Sequence, residues 1–202
     1  VAASDSTRLT VTTQANEKVY KASADTASLS TRITVGHQAA VHWMPQETIL
    51  FDQSALSRRL DVDLQETSEF LAVEAVLMGR QAMGETLKRG LFRDRWRVRR
   101  GGRLIHAEDL RLDGEIDLLS GLPATLGGQS AFATLLYIGP MAEALLPRVR
   151  ESLGSAVGGA SHWQGKLVVR LVASSGYELR KLLVPAIAVL RNGAAVPKVW
   201  NI

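Results

Sequence analysis

Short runs in which apolar and polar residues alternate dominate the first half of the sequence. Leu9 and Val11 share one face of "RLTVTTQ", and Leu29, Ile33 and Val35 share one face of "LSTRITV". The run "LSRRLDVDL" alternates in the same way, and polar stretches such as "QANEK" and "LQETS" separate the runs. A period of two is typical of half-buried strands, so we predict a β-rich region from residue 8 to about residue 112.

The segment "EFLAVEAVLMGR" is apolar on both faces except at Glu74. A helix is one interpretation, but Phe70 and two valines favour a strand that is buried on both faces. An unpaired charge inside such a strand is costly. Glu74 should therefore pair with an arginine, for which Arg80 is near in sequence, or stay protonated, or line a wet cavity.

The stretch "LFRDRWRVRRGGRLIHAEDLRLDG" predicts a β-hairpin with its turn at Gly101-Gly102, where glycine supplies the positive φ angles of a two-residue turn. Arginines occupy one face of its first strand and apolar residues the other: Arg93, Arg95, Arg97 and Arg99 against Phe92, Trp96 and Val98. With this turn, Arg95 should lie opposite Glu108, and Arg97 opposite His106.

The second half adds helical patterns. "AFATLLYIG" and "GKLVVRLVAS" predict buried strands, whereas "PMAEALLPRVRESLG" and "GYELRKLLVPAIAVLRNG" predict helices. Pro147 and Pro185 should kink or shorten these helices, and Asn192-Gly193 is a suitable C-cap for the second one. The whole pattern predicts a mainly β fold with two α-helices in the C-terminal half.

Composition narrows the function classes. A chain of 202 residues suits one domain, and the absence of cysteine excludes disulfides, thiolate catalysis and cysteine zinc sites. The first ten residues lack the basic and apolar regions of a signal peptide, and the longest apolar run is too short to cross a membrane. We expect a soluble, cytoplasmic protein without a membrane partner. The net charge of +4 says little about other partners.

Motifs for catalysis are missing from the sequence. The nearest approach to a phosphate-binding loop, "ASHWQGKL", lacks the first glycine and the hydroxyl residue after lysine. No nucleophile elbow or zinc-binding His pattern occurs, and the four histidines are scattered singly. On motifs alone the chain is not recognisable as an enzyme.

Two further hypotheses remain open. The arginine face of the hairpin could bind nucleic acid or another protein, although a solvated face with cross-strand ion pairs is the more ordinary interpretation. Alternatively, Glu74 and Glu108 could be the general acid and base of a hydrolase, if both carboxylates face one pocket.

Several segments together resemble the urease accessory protein UreD family, also called UreH. They are "LTVTTQANEKVYK", "VHWMPQETILFD", "EFLAVEAVLMGRQAMGE", "RWRVRRGGRLIHAEDLRLDG" and "PKVWNI", of which the second and third are the most specific. The resemblance covers nearly all of the chain and implies one UreD-like domain over residues 1–202. Family members carry a Gly-rich stretch with a further acid before the first segment, and we expect this sequence to lack that portion.

The resemblance implies a scaffold with a β-helix-like fold of layered sheets. It implies direct binding to the accessory protein UreF, contact with the GTPase UreG through UreF, and docking on apo-urease, with nucleic acid an unlikely partner. It also implies that Ni²⁺ from UreG passes through UreF and this protein to the urease active site. No permanently bound cofactor is implied, only Ni²⁺ in transit.

Three acids match family positions along this nickel route: Glu74, Glu108 and Glu17. Relatives often have serine at the position of Glu17, so that residue matches less closely. A conduit needs oxygen ligands, because soft thiolates would trap a divalent ion. The resemblance also suggests that Pro45, Gln46 and Glu47 shape a bend of the β-body or a partner surface, without Glu47 serving as a nickel ligand.

Overall fold

A computed structural model describes residues 1–80 and 83–201 of the chain. Most of the elements are strands, as predicted. The strands are β1 Ala2–Ala3, β2 Arg8–Val11, β3 Glu17–Val19, β4 Ala27–Val35, β5 Ala40–Trp43, β6 Thr48–Leu50, β7 Ala55–Leu64, β8 Glu69–Met78, β9 Arg89–Arg100, β10 Arg103–Glu115, β11 Ala131–Ile138, β12 Gly158–Trp163 and β13 Lys166–Ala173. The helices are α1 Ile116–Gly121, α2 Ala142–Leu153 and α3 Gly176–Leu190, and a 3-10 turn follows at Lys198–Trp200.

The first half of the chain coils between two layered sheets. Sheet 1 has the strand order β1-β4-β7-β9-β10, and sheet 2 has the order β12-β13-β11-β8-β5-β2, with β3 and β6 extending beside β8. The early pairs are parallel, and Ala27 of β4 lies opposite Leu56 of β7, 29 residues further along the chain. Each turn of the coil therefore adds a strand to both sheets, which confirms the β-helix-like layering.

The alternation within the strands produces two apolar layers, one with two clusters between the sheets and one on the outer side of sheet 2. Between the sheets, Trp96, Val98 and Leu60 of sheet 1 pack against Phe70 of sheet 2. On the outer side of sheet 2, α2 and α3 cover a second apolar core around Leu135. The central strands β8 and β11 of sheet 2 are thus buried on both faces, as the apolar run of β8 indicates.

The two long helices are confirmed, and both continue through Pro147 and Pro185. Ser175 caps the start of α3, because its hydroxyl accepts a hydrogen bond from the Glu178 N–H. After α3 the Gly193 N–H donates to the Ala188 carbonyl, as expected for its capping role. The short helix α1 and strand β12 were not predicted.

The predicted hairpin is present, but its predicted register is wrong by one residue. A bulge between Leu104 and His106 inserts Ile105, so that Arg95 lies opposite Asp109 and Arg97 opposite Ala107. The pairings of these arginines with Glu108 and His106 are therefore corrected. None of the helices in the described residues is long and apolar enough to span a membrane.

Candidate functional site

A widening gap in sheet 2 begins at the Pro-Gln-Glu step. Strand β8 runs without a break, and three of its residues, 73–75, lie between its pairings with β5 and β6. Four residues, 44–47, separate the neighbouring strands β5 and β6. Five residues, 12–16, separate the next strands outward, β2 and β3. The additional residues cannot remain in the ladder of hydrogen bonds, so the sheet opens there.

The chain bends at Pro45–Glu47, as expected, and the side chain of Glu47 is buried and does not lie on the surface. Glu47 is 2% exposed. Its Oε1 lies 2.6 Å from Nε of Arg180 in α3, and its Oε2 accepts a hydrogen bond of 2.8 Å from Asn16 Nδ2. The indole N–H of Trp200 donates to the Met44 carbonyl. These contacts fix the bend to α3 and to the last turn of the chain.

Beside this gap lies a buried ion cluster of Arg58, Glu74 and Asp94, here called the Arg58 cluster. Nη1 of Arg58 lies 2.7 Å from Oε2 of Glu74, and Nη2 lies 2.7 Å from Oδ2 of Asp94. Nη1 also donates to the Thr48 hydroxyl, and the Trp43 indole N–H donates to Oε1 of Glu74 at 2.8 Å. Glu74 therefore pairs with an arginine, which is one of the three alternatives that its sequence position left open.

The partner of Glu74 is not Arg80. Arg80 forms an ion pair with Glu85 instead. Arg58 belongs to β7 in the facing sheet, and it reaches Glu74 across the core between the two sheets.

Glu74 lines two separate cavities. The small cavity has a volume of about 190 Å³ and is also lined by Glu17, Thr48 and Arg58. The large cavity has a volume of about 510 Å³, and its lining includes Asp94 and Glu108. A water molecule occupies about 30 Å³ in the liquid, so both spaces can hold several.

Glu17 and Glu108 lie towards the outer ends of these cavities. Glu17 is exposed at the start of β3, beside the small cavity. Both carboxylate oxygens of Glu108 accept hydrogen bonds from Nη2 of Arg170, at 2.8 and 2.6 Å. The Arg170 side chain is 62% exposed, so this end of the large cavity reaches the surface. The three acids that the family resemblance implies thus line two cavities that share Glu74.

The pKa values of Glu74 and Arg58 are shifted by burial and by the presence of two carboxylates beside one guanidinium. Burial raises the pKa of Glu74 to about 7; Arg58 opposes this rise and Asp94 adds to it. Burial alone would lower the pKa of Arg58, but Glu74 and Asp94 outweigh that effect and raise it. Arg58 therefore stays charged, whereas Glu74 changes its charge near neutral pH.

The side chains of this region that could contact a metal ion do so through carboxylate and hydroxyl oxygens. In the described ranges, 1–80 and 83–201, no three His, Asp or Glu side chains gather as a metal-binding group. Carboxylates and hydroxyls that occur singly or in pairs leave most of the ion's ligand positions to water, which favours release.

The sequence matches the family model described as UreD urease accessory protein over residues 1–201. The chain belongs to the UreD family. Curated relatives named urease accessory protein UreD agree. The protein of Rhizobium leguminosarum bv. viciae is 67% identical over 196 residues, which cover 97% of this chain and 72% of the relative. The corresponding values for Agrobacterium fabrum are 65%, 97% and 69%, and those for Mesorhizobium japonicum are 50%, 95% and 70%.

The two most specific motifs of the UreD resemblance lie side by side in the fold. "VHWMPQETILFD" forms β5, the Pro45–Glu47 bend and β6, and "EFLAVEAVLMGR" forms β8, with which both of those strands pair. Both motifs line the small cavity, through residues such as Trp43 and Glu74.

Sequence reasoning missed two members of the Arg58 cluster, Arg58 itself and Asp94. Both carry a signal that could have revealed them. Arg58 is in phase with Leu60 on the inward face of β7, and Asp94 is in phase with Trp96 on the inward face of β9. A charged residue at an apolar position of an alternating strand indicates a buried ion pair, as it does at Glu74.

The arginine face lies on the outer side of sheet 1 and carries its own partners. Arg93 donates two hydrogen bonds to Asp109, at 3.0 and 2.9 Å. Arg97 donates to the carbonyls of Trp96 and Glu108. These bonds favour a solvated, internally paired face over one that tracks phosphates.

The hydrolase hypothesis meets its geometric requirement only in part. Glu74 and Glu108 line the same cavity, but each carboxylate is engaged by an arginine, Arg58 or Arg170. Thr134 of β11 pairs with Glu74 of β8 on one side and with Arg170 of β13 on the other. The backbones of Glu74 and Arg170 are therefore two strand spacings, or about 10 Å, apart. Neither acid is poised as a free general base.

Proposed function

We propose that this protein is a scaffold for urease maturation that conducts Ni²⁺ to the urease active site. In this proposal it binds UreF directly, contacts the GTPase UreG through UreF, and docks the assembly on apo-urease in the cytoplasm. It catalyses no reaction of its own and holds no permanent cofactor, because nickel is its cargo. Membership of a urease accessory family supports the urease part of the proposal.

One observation carries the nickel part of the proposal: a single carboxylate, Glu74, lines both cavities. An ion that enters beside Glu17 can reach Glu74 through the small cavity and Glu108 through the large one. Each step offers carboxylate oxygen, which binds the borderline ion Ni²⁺ more weakly than imidazole or thiolate does and so lets it leave.

The arginines at Glu74 and Glu108 also suit transit. A carboxylate that is already paired with a guanidinium binds a metal ion less tightly than a free one, because the ion must compete with a charge-assisted hydrogen bond. A route lined with unpaired buried carboxylates would hold the ion, and would also be costly to fold.

The test is activation of apo-urease by purified UreF, UreG, GTP and Ni²⁺, with this chain as wild type or as Glu74→Gln. The exposed acid Glu151 in α2 provides a matched control, Glu151→Gln. We expect Glu74→Gln to enter the complex with UreF normally and to activate urease poorly, while Glu151→Gln behaves as wild type. Full activation by Glu74→Gln would refute the conduit.

A further inference from the structure

The Arg58 cluster forms the partition between the two cavities. Arg58 lines the small cavity, Asp94 lines the large cavity, and Glu74 lines both. The side chains of the three residues are 6 to 7% exposed. An ion that crosses from one cavity to the other must therefore pass between these three groups.

The charges of this cluster match a divalent cation. Glu74 and Asp94 each lie 2.7 Å from a terminal nitrogen of the same guanidinium, so both carboxylates face one cationic group. With both acids ionised, the two carboxylates and Arg58 carry a net charge of −1. If a divalent cation takes the place of the guanidinium, the two carboxylates and the ion are neutral together.

The cluster also has unused acceptor capacity. Across the part of the chain that the structure describes, Oε2 of Glu74 and Oδ1 of Asp94 are buried and accept no directed hydrogen bond. Oε2 of Glu74 forms an ion pair with Arg58, but no N–H of Arg58 points at it well enough to make a hydrogen bond. Buried oxygens are rarely left without a donor, and both of these belong to residues that line the large cavity.

The small cavity offers Arg58 other polar partners besides Glu74 and Asp94. Its Nη1 already donates to Thr48, which lines that cavity together with Glu17. Glu17 is also near enough to act electrostatically on the guanidinium. A guanidinium that turns towards Glu17 and Thr48 remains beside a carboxylate and a hydroxyl, so its displacement leaves no charge stranded.

We propose that Glu74 and Asp94 together form a station for the divalent cation at this partition, and that Arg58 is the internal cation which the ion displaces. Asp94 is thus a further metal ligand, and Arg58 sets how weakly the station binds. The inference rests on the proposed nickel conduit and deepens it, because it explains how a buried carboxylate pair can bind nickel without retaining it.

The test is a Ni²⁺ titration of the purified protein by calorimetry. Arg58→Met frees both carboxylates, so we expect it to bind Ni²⁺ about tenfold more tightly than wild type and to activate urease more slowly. The double variant Arg58→Met/Asp94→Asn should lose the gain in affinity. Arg93→Met, which removes a paired arginine from the outer face of sheet 1, should change neither quantity.

A purely structural role for Arg58 predicts that nickel affinity does not change in Arg58→Met. Unchanged nickel affinity in folded Arg58→Met, or a gain that persists in the double variant, would overturn the station. If Arg58→Met does not fold, Arg58→Lys is used instead, because a single ammonium cannot span both acids. The nickel affinity of Arg58→Lys should rise by about threefold. An unchanged affinity would overturn the proposal. Failure here leaves the conduit standing, since only the Glu74→Gln activation assay refutes that.

Discussion

Replacement of Glu74 by glutamine tests the charge balance of the Arg58 cluster. The pKa of Glu74 is raised from 4.5 to about 7 by burial, against the effect of Arg58 and with a contribution from Asp94. Between these two values the folded protein keeps a proton on Glu74 that the unfolded chain has released. The free energy of unfolding should therefore fall as the pH rises from about 4.5 to about 7, and stay low above that range.

The size of the effect follows from the same values. A rise in pKa from 4.5 to about 7 corresponds to at most about 3 kcal/mol of unfolding free energy. Glutamine removes this ionisation, its amide oxygen can accept the bond from Trp43, and Arg58 keeps Asp94 as its partner. We expect Glu74→Gln to match the wild type near pH 4 and to be more stable by about 1–3 kcal/mol near pH 8.

Urea denaturation of both proteins at about pH 4, 6 and 8, without Ni²⁺, measures this difference. Glu151→Gln should follow the wild type at every pH, because its side chain is exposed. The reasoning is refuted if Glu74→Gln is about 3–5 kcal/mol less stable than the wild type near pH 8. That cost is typical of a stranded buried charge, and it would mean that Asp94 alone does not satisfy Arg58.

Two other predictions concern the bend and the absence of catalysis. Glu47→Ala should lower the free energy of unfolding, measured by urea denaturation, by about 3 kcal/mol. The substitution leaves the half-buried Arg180 without its carboxylate and releases the bend from α3. A loss below about 1 kcal/mol would contradict this anchoring role. The purified chain alone should not turn over GTP, urea or an ester in steady-state assays, and measurable turnover abolished by a substitution at Glu74 or Glu108 would favour the hydrolase hypothesis instead.

Much of the fold could be predicted because alternation in a strand is a local property. The strands β7 to β10 and the two long helices follow from their own residues. The pairing of the strands does not, since each coil joins residues about 30 positions apart and nothing in a single strand identifies its parallel neighbour. Arg80 was therefore considered for Glu74 because it is near in sequence, whereas Arg58 reaches it from the opposite sheet.

The remaining differences also have local physical causes. Ile105 is accommodated as a bulge, and one inserted residue shifts every later pairing of the hairpin. Strand β12 begins with two glycines and has little apolar character, so it is a strand mainly because β13 provides an edge to pair with. The three acids of the candidate site came from the family resemblance, and composition or spacing alone would have left them as isolated carboxylates.

The most direct test of the proposed nickel route is the activation of apo-urease by Glu74→Gln together with UreF and UreG, the proposed partners, normalised to the amount of complex that co-purifies with them. If Glu74 joins the two cavities into one path, the variant assembles like the wild type and leaves most of the urease inactive at limiting Ni²⁺ with GTP present. Wild-type activation per assembled complex would contradict the account.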